Sequence, residues 1–177
     1  AKAQFVLGSM YDSGQGFTQD YAEAVRWYRL AAEQGEAMAQ SVLGIMHFNG
    51  HGVPQDYAEA VRWYRLAAEQ GNARAQFNLG AMYDSGEGVT QDYAEAVRWY
   101  RLAAEQGDAE AQFNFALMYY NGEGVPQDHV EAHKWFNIAA SVGDADAAYN
   151  RDRVAKQMTP TQIAEAQRLA REWKPTR

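Results

Sequence analysis

Cysteine is absent from this chain. Its absence excludes disulfides, thiolate nucleophiles and thiolate metal ligands at once. It does not select a compartment, because a cysteine-free protein suits an oxidising or a reducing environment.

Basic residues are outnumbered, and long apolar runs are missing. Sixteen lysines and arginines stand against 23 acidic residues, which gives a net charge of -7. Binding to nucleic acid needs a basic stripe that releases counterions, so we expect no nucleic-acid partner. The longest apolar runs are only a few residues, so we also expect no membrane-spanning helix. Hydrophobic residues still make up 47% of the chain, which is ample for a buried core.

An internal repeat fills the chain. The 17-residue segment QDYAEAVRWYRLAAEQG occurs unchanged at Gln19–Gly35, Gln55–Gly71 and Gln91–Gly107, and a degenerate fourth copy spans Gln127–Gly143. The spacing is 36 residues throughout. A period of about 20 to 50 residues is the signature of stacked repeat architectures. Such arrays build elongated surfaces rather than closed catalytic pockets.

Each unit predicts two helices joined by a glycine-containing turn. Asp20 followed by Glu23 is typical of a capped helix start, and apolar residues then recur at helical spacing. The other helix follows the pattern A-Q-x-x-[LF]-[GA]-x-x-[YH], in which a glycine such as Gly80 indicates close approach of the partner helix. Gly50 and Gly52 form a G-x-G pair that is expected to adopt positive φ in the connection. The alternative, a phosphate-binding loop, lacks the preceding strand and the following lysine.

The pattern A-Q-x-x-L-G-x-x-Y-x-x-G-x-G-V-x-x-D, followed by W-Y-x-x-A-A-x-x-G, resembles the Sel1-like repeat family, relatives of the tetratricopeptide repeats. The resemblance covers Ala1 to about Gly143, with His47 and Phe115-Ala116 as mild departures. It implies an all-α, right-handed solenoid of antiparallel helix pairs. It also implies a non-catalytic interaction scaffold or adaptor without a cofactor, often bacterial. We therefore favour a periplasmic or secreted location over a cytoplasmic one.

The repeats predict one domain over residues 1–177. Its units are about 1–36, 37–72, 73–108 and 109–144, followed by a more polar capping helix pair at 145–177. Thr159 and Pro160 mark the start of the last helix. Because Ala1 falls in mid-repeat, we expect the N-terminal end to be cut and open and the C-terminal end to be closed.

Positions that change between repeats are candidates for recognition. By the resemblance, the first helix of each unit lines a concave face. Asn78, Asn114 and Asn150 stand on it one repeat apart, and asparagine can donate to and accept from a peptide backbone. Arg74 lies one turn before Asn78, where a guanidinium can hold a carboxylate. The remaining groove candidates are Met38, Val42, Ile45, Leu117 and Asn121.

We therefore expect a protein partner to bind through an extended peptide segment in this groove. A second interpretation treats the asparagines as repeat inheritance with no ligand, and Arg74 as a solvated residue that pairs with a neighbouring acid. Both interpretations remain open at this stage.

Catalytic and metal-binding patterns are weak. His129 and His133 have a spacing at which two imidazoles can share a metal. They replace a core tyrosine and valine, and no third ligand is evident, so we expect core positions and no metal site. No serine lies in a G-x-S-x-G elbow. Some cysteine-rich relatives are linked to β-lactam binding, but this chain has none of their cysteines, so a β-lactam-binding or hydrolytic enzyme is the alternative we reject.

The last candidate role is self-assembly. The repeated tryptophans Trp27, Trp63, Trp99 and Trp135 are predicted to lie in the core rather than in an exposed interface. The open N-terminal end, with Phe5, Leu7 and Met10, instead predicts a homodimer. The glutamates Glu23, Glu59 and Glu95 are expected to pair with Arg26, Arg62 and Arg98 at i,i+3 and to be structural.

Overall fold

The computed structural model describes residues 1–176, so Arg177, the last residue of the predicted capping pair, lies outside the described residues. These residues form ten helices and no strand, which confirms the all-α class. The helices are α1 (Lys2–Ser13), α2 (Tyr21–Ala32), α3 (Ala37–Asn49), α4 (Tyr57–Glu69), α5 (Ala73–Ser85), α6 (Tyr93–Glu105), α7 (Ala109–Asn121), α8 (His129–Ser141), α9 (Ala145–Ala155) and α10 (Pro160–Glu172).

The helices group into two compact units that divide after Gln91. In the first unit, α1 to α5 each pack against the next helix in chain order. In the second unit, α6 to α9 do the same, and α10 packs on α8. The prediction of one domain over the whole chain stays a prediction. None of the helices between residues 1 and 176 combines the length and the apolar character that a membrane crossing requires.

Local sequence sets the ends of the helices. The Asp20 carboxylate accepts hydrogen bonds from the amides of Ala22 and Glu23 at 2.9 and 3.0 Å, so it satisfies two N–H groups that lack intrahelical partners. Gly50 and Gly52 have φ of 74° and 72°, which confirms the predicted left-handed turn. A Cβ on Gly52 would collide with the Tyr21 carbonyl, so the turn of one repeat packs directly on the previous second helix.

Aromatic rings of the second helices pack against glycines of the first helices. A Cβ on Gly8 would lie 2.8 Å from the Tyr28 ring, and one on Gly44 would collide with the Tyr64 ring. The predicted close approach of the two helices is therefore confirmed at these two repeats. Burial also raises the pKa of the Tyr28 phenol to about 12, with the Asp12 carboxylate acting in the same direction.

Three of the four repeated tryptophans lie in the core as predicted. Trp63, Trp99 and Trp135 are 4 to 5% exposed, and Trp27 is half-buried. The predicted i,i+3 ion pairs are also confirmed, with N–O distances of 3.4, 3.1 and 3.2 Å in repeats one to three. Their side chains are largely solvated, so each pair contributes little to stability.

The N-terminal end is partly covered by its own repeat. The Phe5 ring lies 5.5 Å from the Tyr28 ring and packs against the core of the first unit, and Leu7 and Met10 are half-buried. Less apolar surface is therefore open at this end than the sequence predicts, and the homodimer stays a prediction.

A buried glutamine joins each of repeats two to four to the repeat before it. The side-chain amides of Gln40, Gln76 and Gln112 donate to the backbone carbonyls of Ala32, Ala68 and Ala104 at 3.0, 3.1 and 3.1 Å. These carbonyls belong to the last turns of the second helices, and each also accepts from the amide of the glycine that follows, Gly35, Gly71 or Gly107. The glutamines are only 2 to 4% exposed, so water cannot replace them.

We predict that Gln40→Leu destabilises the chain. The substitution removes the side-chain hydrogen bond to the Ala32 carbonyl. It also removes the acceptor of the Gln70 amide, which lies 2.7 Å from Gln40 Oε1. The Ala32 carbonyl keeps its hydrogen bond from the Gly35 amide, so the loss of the two Gln40 side-chain bonds should cost about 1 kcal/mol of unfolding free energy. Urea denaturation measures the loss. Gln15→Leu, at an exposed loop position, is the control and should leave the midpoint unchanged.

Two histidines also lie in the core. His47 replaces a tyrosine and is 7% exposed, and His133 replaces a valine and is 2% exposed. Within the described residues, neither ring nitrogen of His47 has a hydrogen-bond partner, nor does Nδ1 of His133. Burial lowers the pKa of both imidazoles. At His47, Arg29 lowers the pKa further, whereas Glu59 and Asp56 raise it. At His133, Arg151 lowers the pKa further, whereas Asp152 raises it.

His129 and His133 do not meet a third ligand. The His129 ring packs 5.9 Å from Tyr120, and His133 lies in the core, as predicted for substituted core positions. Among residues 1–176, no group of three or more histidine, aspartate or glutamate side chains is placed to hold a metal ion.

We predict that His47→Tyr, which restores the residue of the other three repeats, reduces the acid sensitivity of folding. The unfolded imidazole titrates near pH 6.5 and the buried one lower, so the unfolded chain binds more protons below about pH 6.5. Stability is therefore full above that pH and falls below it, by at most about 1.4 kcal/mol per pH unit for each buried histidine. Urea unfolding at about pH 7.5 and about pH 5.5 measures the difference. An unchanged pH dependence in His47→Tyr would contradict the prediction, and His51→Gln, in an exposed turn, is the control.

Candidate binding groove

A cavity of about 260 Å³ lies among α3, α4 and α5 of the first unit. Two first helices and one second helix contribute to its walls. The lining residues are Ile45, Phe48, Asn49, Tyr64, Arg74, Asn78, Ala81, Met82 and Glu87. We refer to it as the α3–α5 cavity.

The polar part of the α3–α5 cavity is a network around Tyr64. The Tyr64 ring is 3% exposed, and burial raises the pKa of its phenol, so the hydroxyl stays protonated at physiological pH. The Arg74 guanidinium and a hydrogen bond from the Asn78 carboxamide act in the opposite direction. The guanidinium also lies 5.0 Å from the centre of the Phe77 ring, which holds it near the rim by a cation–π contact.

The rest of the cavity is apolar with a charge at each side. Ile45, Phe48 and Ala81 are half-buried, and Met82 is buried, so together they form an apolar wall. Arg74 and Glu87, both exposed, supply opposite charges on the lining. Such a cavity can take an apolar side chain while its rim binds polar or charged groups of the same ligand.

Three of the predicted groove residues meet in this cavity, namely Ile45, Arg74 and Asn78. Met38 and Val42 do not line it. Met38 is 53% exposed on α3, and Val42 packs against the core of the first unit.

The remaining predicted residues lie in the second unit. Asn150 donates to the Asp146 carbonyl of its own helix at 2.9 Å, and Asn121 donates to the Glu123 carboxylate at 2.9 Å. Asn114 and Leu117 are half-buried on α7. The side-chain amides of Asn121 and Asn150 are thus engaged within the chain, which favours a structural role for these two residues.

Sequence reasoning missed Tyr64, Phe48, Met82 and Glu87. Tyr64 belongs to the segment that is identical in three repeats, so comparison between repeats classed it as structural. Phe48 carried a usable signal, because the same position holds Asp12, Asp84 and Tyr120 in the other repeats. Variation at that position was as informative as variation at Asn78.

The comparisons with known proteins agree with this architecture. The Sel1 repeat family model matches residues 1–36, 37–72, 73–108 and 109–144. The chain belongs to the Sel1 repeat family. The matched ranges are the four units read from the sequence, and the resemblance stated there is confirmed.

Two solved structures are similar to this Sel1 repeat chain. One is c5321, a protective antigen of uropathogenic Escherichia coli with an SLR fold, at 42% identity and a TM-score of 0.87. The alignment covers 96% of this chain and 38% of that one, so the chain spans well under half the length of the antigen. The other is a Sel1 repeat protein from Oxalobacter formigenes, at 34% identity and a TM-score of 0.84 over 99% of this chain and 74% of that one. No curated protein matches.

Family membership carries a coarse functional statement. Sel1 repeat proteins typically mediate protein–protein interaction, and the family is generally a non-catalytic repeat scaffold. Both structural neighbours are bacterial proteins.

We predict that Asn78→Ala lowers stability as well as altering the cavity. The Asn78 carboxamide is a hydrogen-bond partner of the buried Tyr64 phenol, so its removal should cost about 1 kcal/mol of unfolding free energy. In the background Tyr64→Phe the same substitution should cost less, because the phenol is already gone. Equal losses in both backgrounds, measured by urea denaturation, would show that the two side chains are not coupled.

Proposed function

We propose that this chain is a non-catalytic adaptor that binds an extended segment of a partner protein at the α3–α5 cavity. The observation that supports the proposal is that the cavity lies where the repeats differ in sequence. Arg74, Asn78 and Ile45 differ from their counterparts in the first repeat, whereas the helices that hold them are repeated. Variation on a constant frame is how a repeat protein acquires a specific partner.

The chemistry of the cavity defines the segment that fits. An apolar side chain fills the wall of Ile45, Phe48 and Met82, and an acidic group of the same segment pairs with the Arg74 guanidinium. The Asn78 carboxamide is hydrogen-bonded to Tyr64, and its remaining donor and acceptor groups bind the backbone of the segment.

Exposed apolar side chains on the first helices extend this surface. Val6 on α1 is 56% exposed and Met38 on α3 is 53% exposed. Both stand at positions assigned to the groove face by the repeat register. We include them as contacts for the part of the partner segment that leaves the cavity. A periplasmic or secreted location for such an adaptor is part of the same proposal.

A selection from a random peptide library tests the proposal without a known partner. The library is panned against the full chain, with counter-selection against Arg74→Ala combined with Ile45→Asp. We expect peptides with an acidic residue close to an apolar one, binding with Kd of about 1 to 100 µM in calorimetry. The double variant should bind them at least about tenfold more weakly, since it loses a charge-assisted contact and an apolar wall.

Leu66→Glu is the matched control, because Leu66 is 38% exposed on α4 and does not line the cavity. It should leave peptide affinity unchanged. Selected peptides that bind the double variant as well as the wild type, or the failure of any peptide to enrich, would overturn the proposal.

A further inference from the structure

The last helix of the chain covers the outer side of α8. α10 packs on α8, and the Trp173 ring lies 5.9 Å from the Trp135 ring in an edge-to-face arrangement. Between the two helices remains a cleft of about 360 Å³, bordered on the α8 side by Asn137, Ile138 and Ser141. The α10 side is formed by Ala170, Arg171 and Trp173.

The same helix positions are uncovered in the first unit. Three repeats earlier, the places of Asn137, Ile138 and Ser141 are taken by Arg29 and Leu30 of α2 and by Glu33 directly after it. Two repeats earlier, they are taken by Arg65, Leu66 and Glu69 of α4. They line open grooves of about 420 Å³ on α2 and about 320 Å³ on α4. We call these two the outer grooves.

The exposed fraction of one equivalent side chain shows how much surface α10 covers. Ile138, beside α10, is 5% exposed. Leu30 and Leu66, at the same position of an outer groove, are 37% and 38% exposed. An apolar side chain at this position is thus covered beside α10 in the fourth repeat and more than one third exposed in the first two.

The outer grooves also have a charge pattern that α8 lacks. Each has a buried valine as its floor, Val25 or Val61, and two arginines against one glutamate at its rim. Arg65 donates to the Tyr83 hydroxyl at 2.6 Å, which fixes its guanidinium beside Leu66. The α8 surface has Lys134, Asn137 and Ser141 instead, so each outer groove has an arginine, Arg29 or Arg65, where α8 has the neutral Asn137.

The contact face of α10 shows which helix fits such a groove. Ala166 is fully buried, and Ile163, Leu169 and Ala170 are half-buried, so small residues form the centre of the face and larger ones its edges. Alanine at the centre lets two helix backbones approach closely, and a helix laid on an apolar groove is a common recognition mode.

We propose that the outer grooves of α2 and α4 are docking sites for an amphipathic helix of a partner protein. This helix presents an alanine-centred apolar face like that of α10 and carries a carboxylate where α10 has Arg171, to pair with Arg29 or Arg65. The site is separate from the α3–α5 cavity and does not depend on it.

A labelled peptide of residues 159–174 is the probe, with Thr161→Lys so that a lactam to Glu165 holds it helical. Both positions are exposed on α10. Titrated with the full chain and followed by fluorescence anisotropy, it should bind with Kd of about 10 to 100 µM. Leu30→Glu combined with Leu66→Glu should weaken binding at least about tenfold, since each puts a charge on the apolar surface. The same peptide with Arg171→Glu should bind about two- to fivefold more tightly.

Met38→Glu, on the first-helix face, is the control and should leave binding of the helical peptide unchanged while weakening the peptides selected for the α3–α5 cavity. Binding that is undiminished by Leu30→Glu and Leu66→Glu would show that the peptide exchanges with the chain's own α10 on α8, and would overturn the proposal. Absence of binding at protein concentrations far above the expected Kd would overturn it as well. Equal or weaker binding of the Arg171→Glu peptide would refute the assigned carboxylate.

Discussion

Repeats two to four each depend on one buried hydrogen bond to the repeat before. The carboxamide of Gln40, Gln76 or Gln112 reaches a carbonyl in the last turn of the preceding second helix. That carbonyl also accepts from a glycine amide in the turn that follows, and the buried glutamine adds a second hydrogen bond that sets the spacing of the two repeats. Apolar packing provides most of the free energy of such a stack, but packing alone is not directional. The hydrogen bond of the glutamine is directional.

The joints, meaning the glutamine hydrogen bonds between repeats, and the core limit the positions at which the repeats can differ in sequence. A second-helix tyrosine needs a glycine opposite it in the first helix, as Tyr28 needs Gly8 and Tyr64 needs Gly44. At Gly8 and Gly44 a Cβ would crowd or collide with the ring, whereas the fourth repeat has Ala116 and, in place of the tyrosine, Phe136. The first-helix side chains between them face neither the joint nor the glycine contact, and there the repeats differ. The α3–α5 cavity forms at this point, where Phe48 stands in place of an aspartate and Asn78 in place of a valine.

Much of this architecture could be predicted from the sequence because the repeat supplies its own comparison. Helix starts at Asp20, the positive φ of Gly50 and the burial of Trp99 all follow from residue type and register. The cavity could be predicted only in part. Arg74 and Asn78 could be predicted because their positions differ between repeats, whereas Tyr64 was missed because its segment is identical in three repeats. A residue that is structural in every repeat becomes part of a site only when its neighbours change.

The outer grooves extend that argument to identical sequences. Leu30, Leu66 and Leu102 lie in segments of identical sequence, yet Leu102 is less exposed than the other two, which are 37% and 38% exposed. In the second unit, the residues after α10 return to α6, where the Thr176 amide donates to the Glu105 carbonyl at 2.7 Å. Environment, rather than sequence, therefore distinguishes the outer faces of the repeats. A repeat protein can vary one face by substitution and another by what its terminal helix covers, and the two faces can then acquire different partners without changing the joints that hold the stack together.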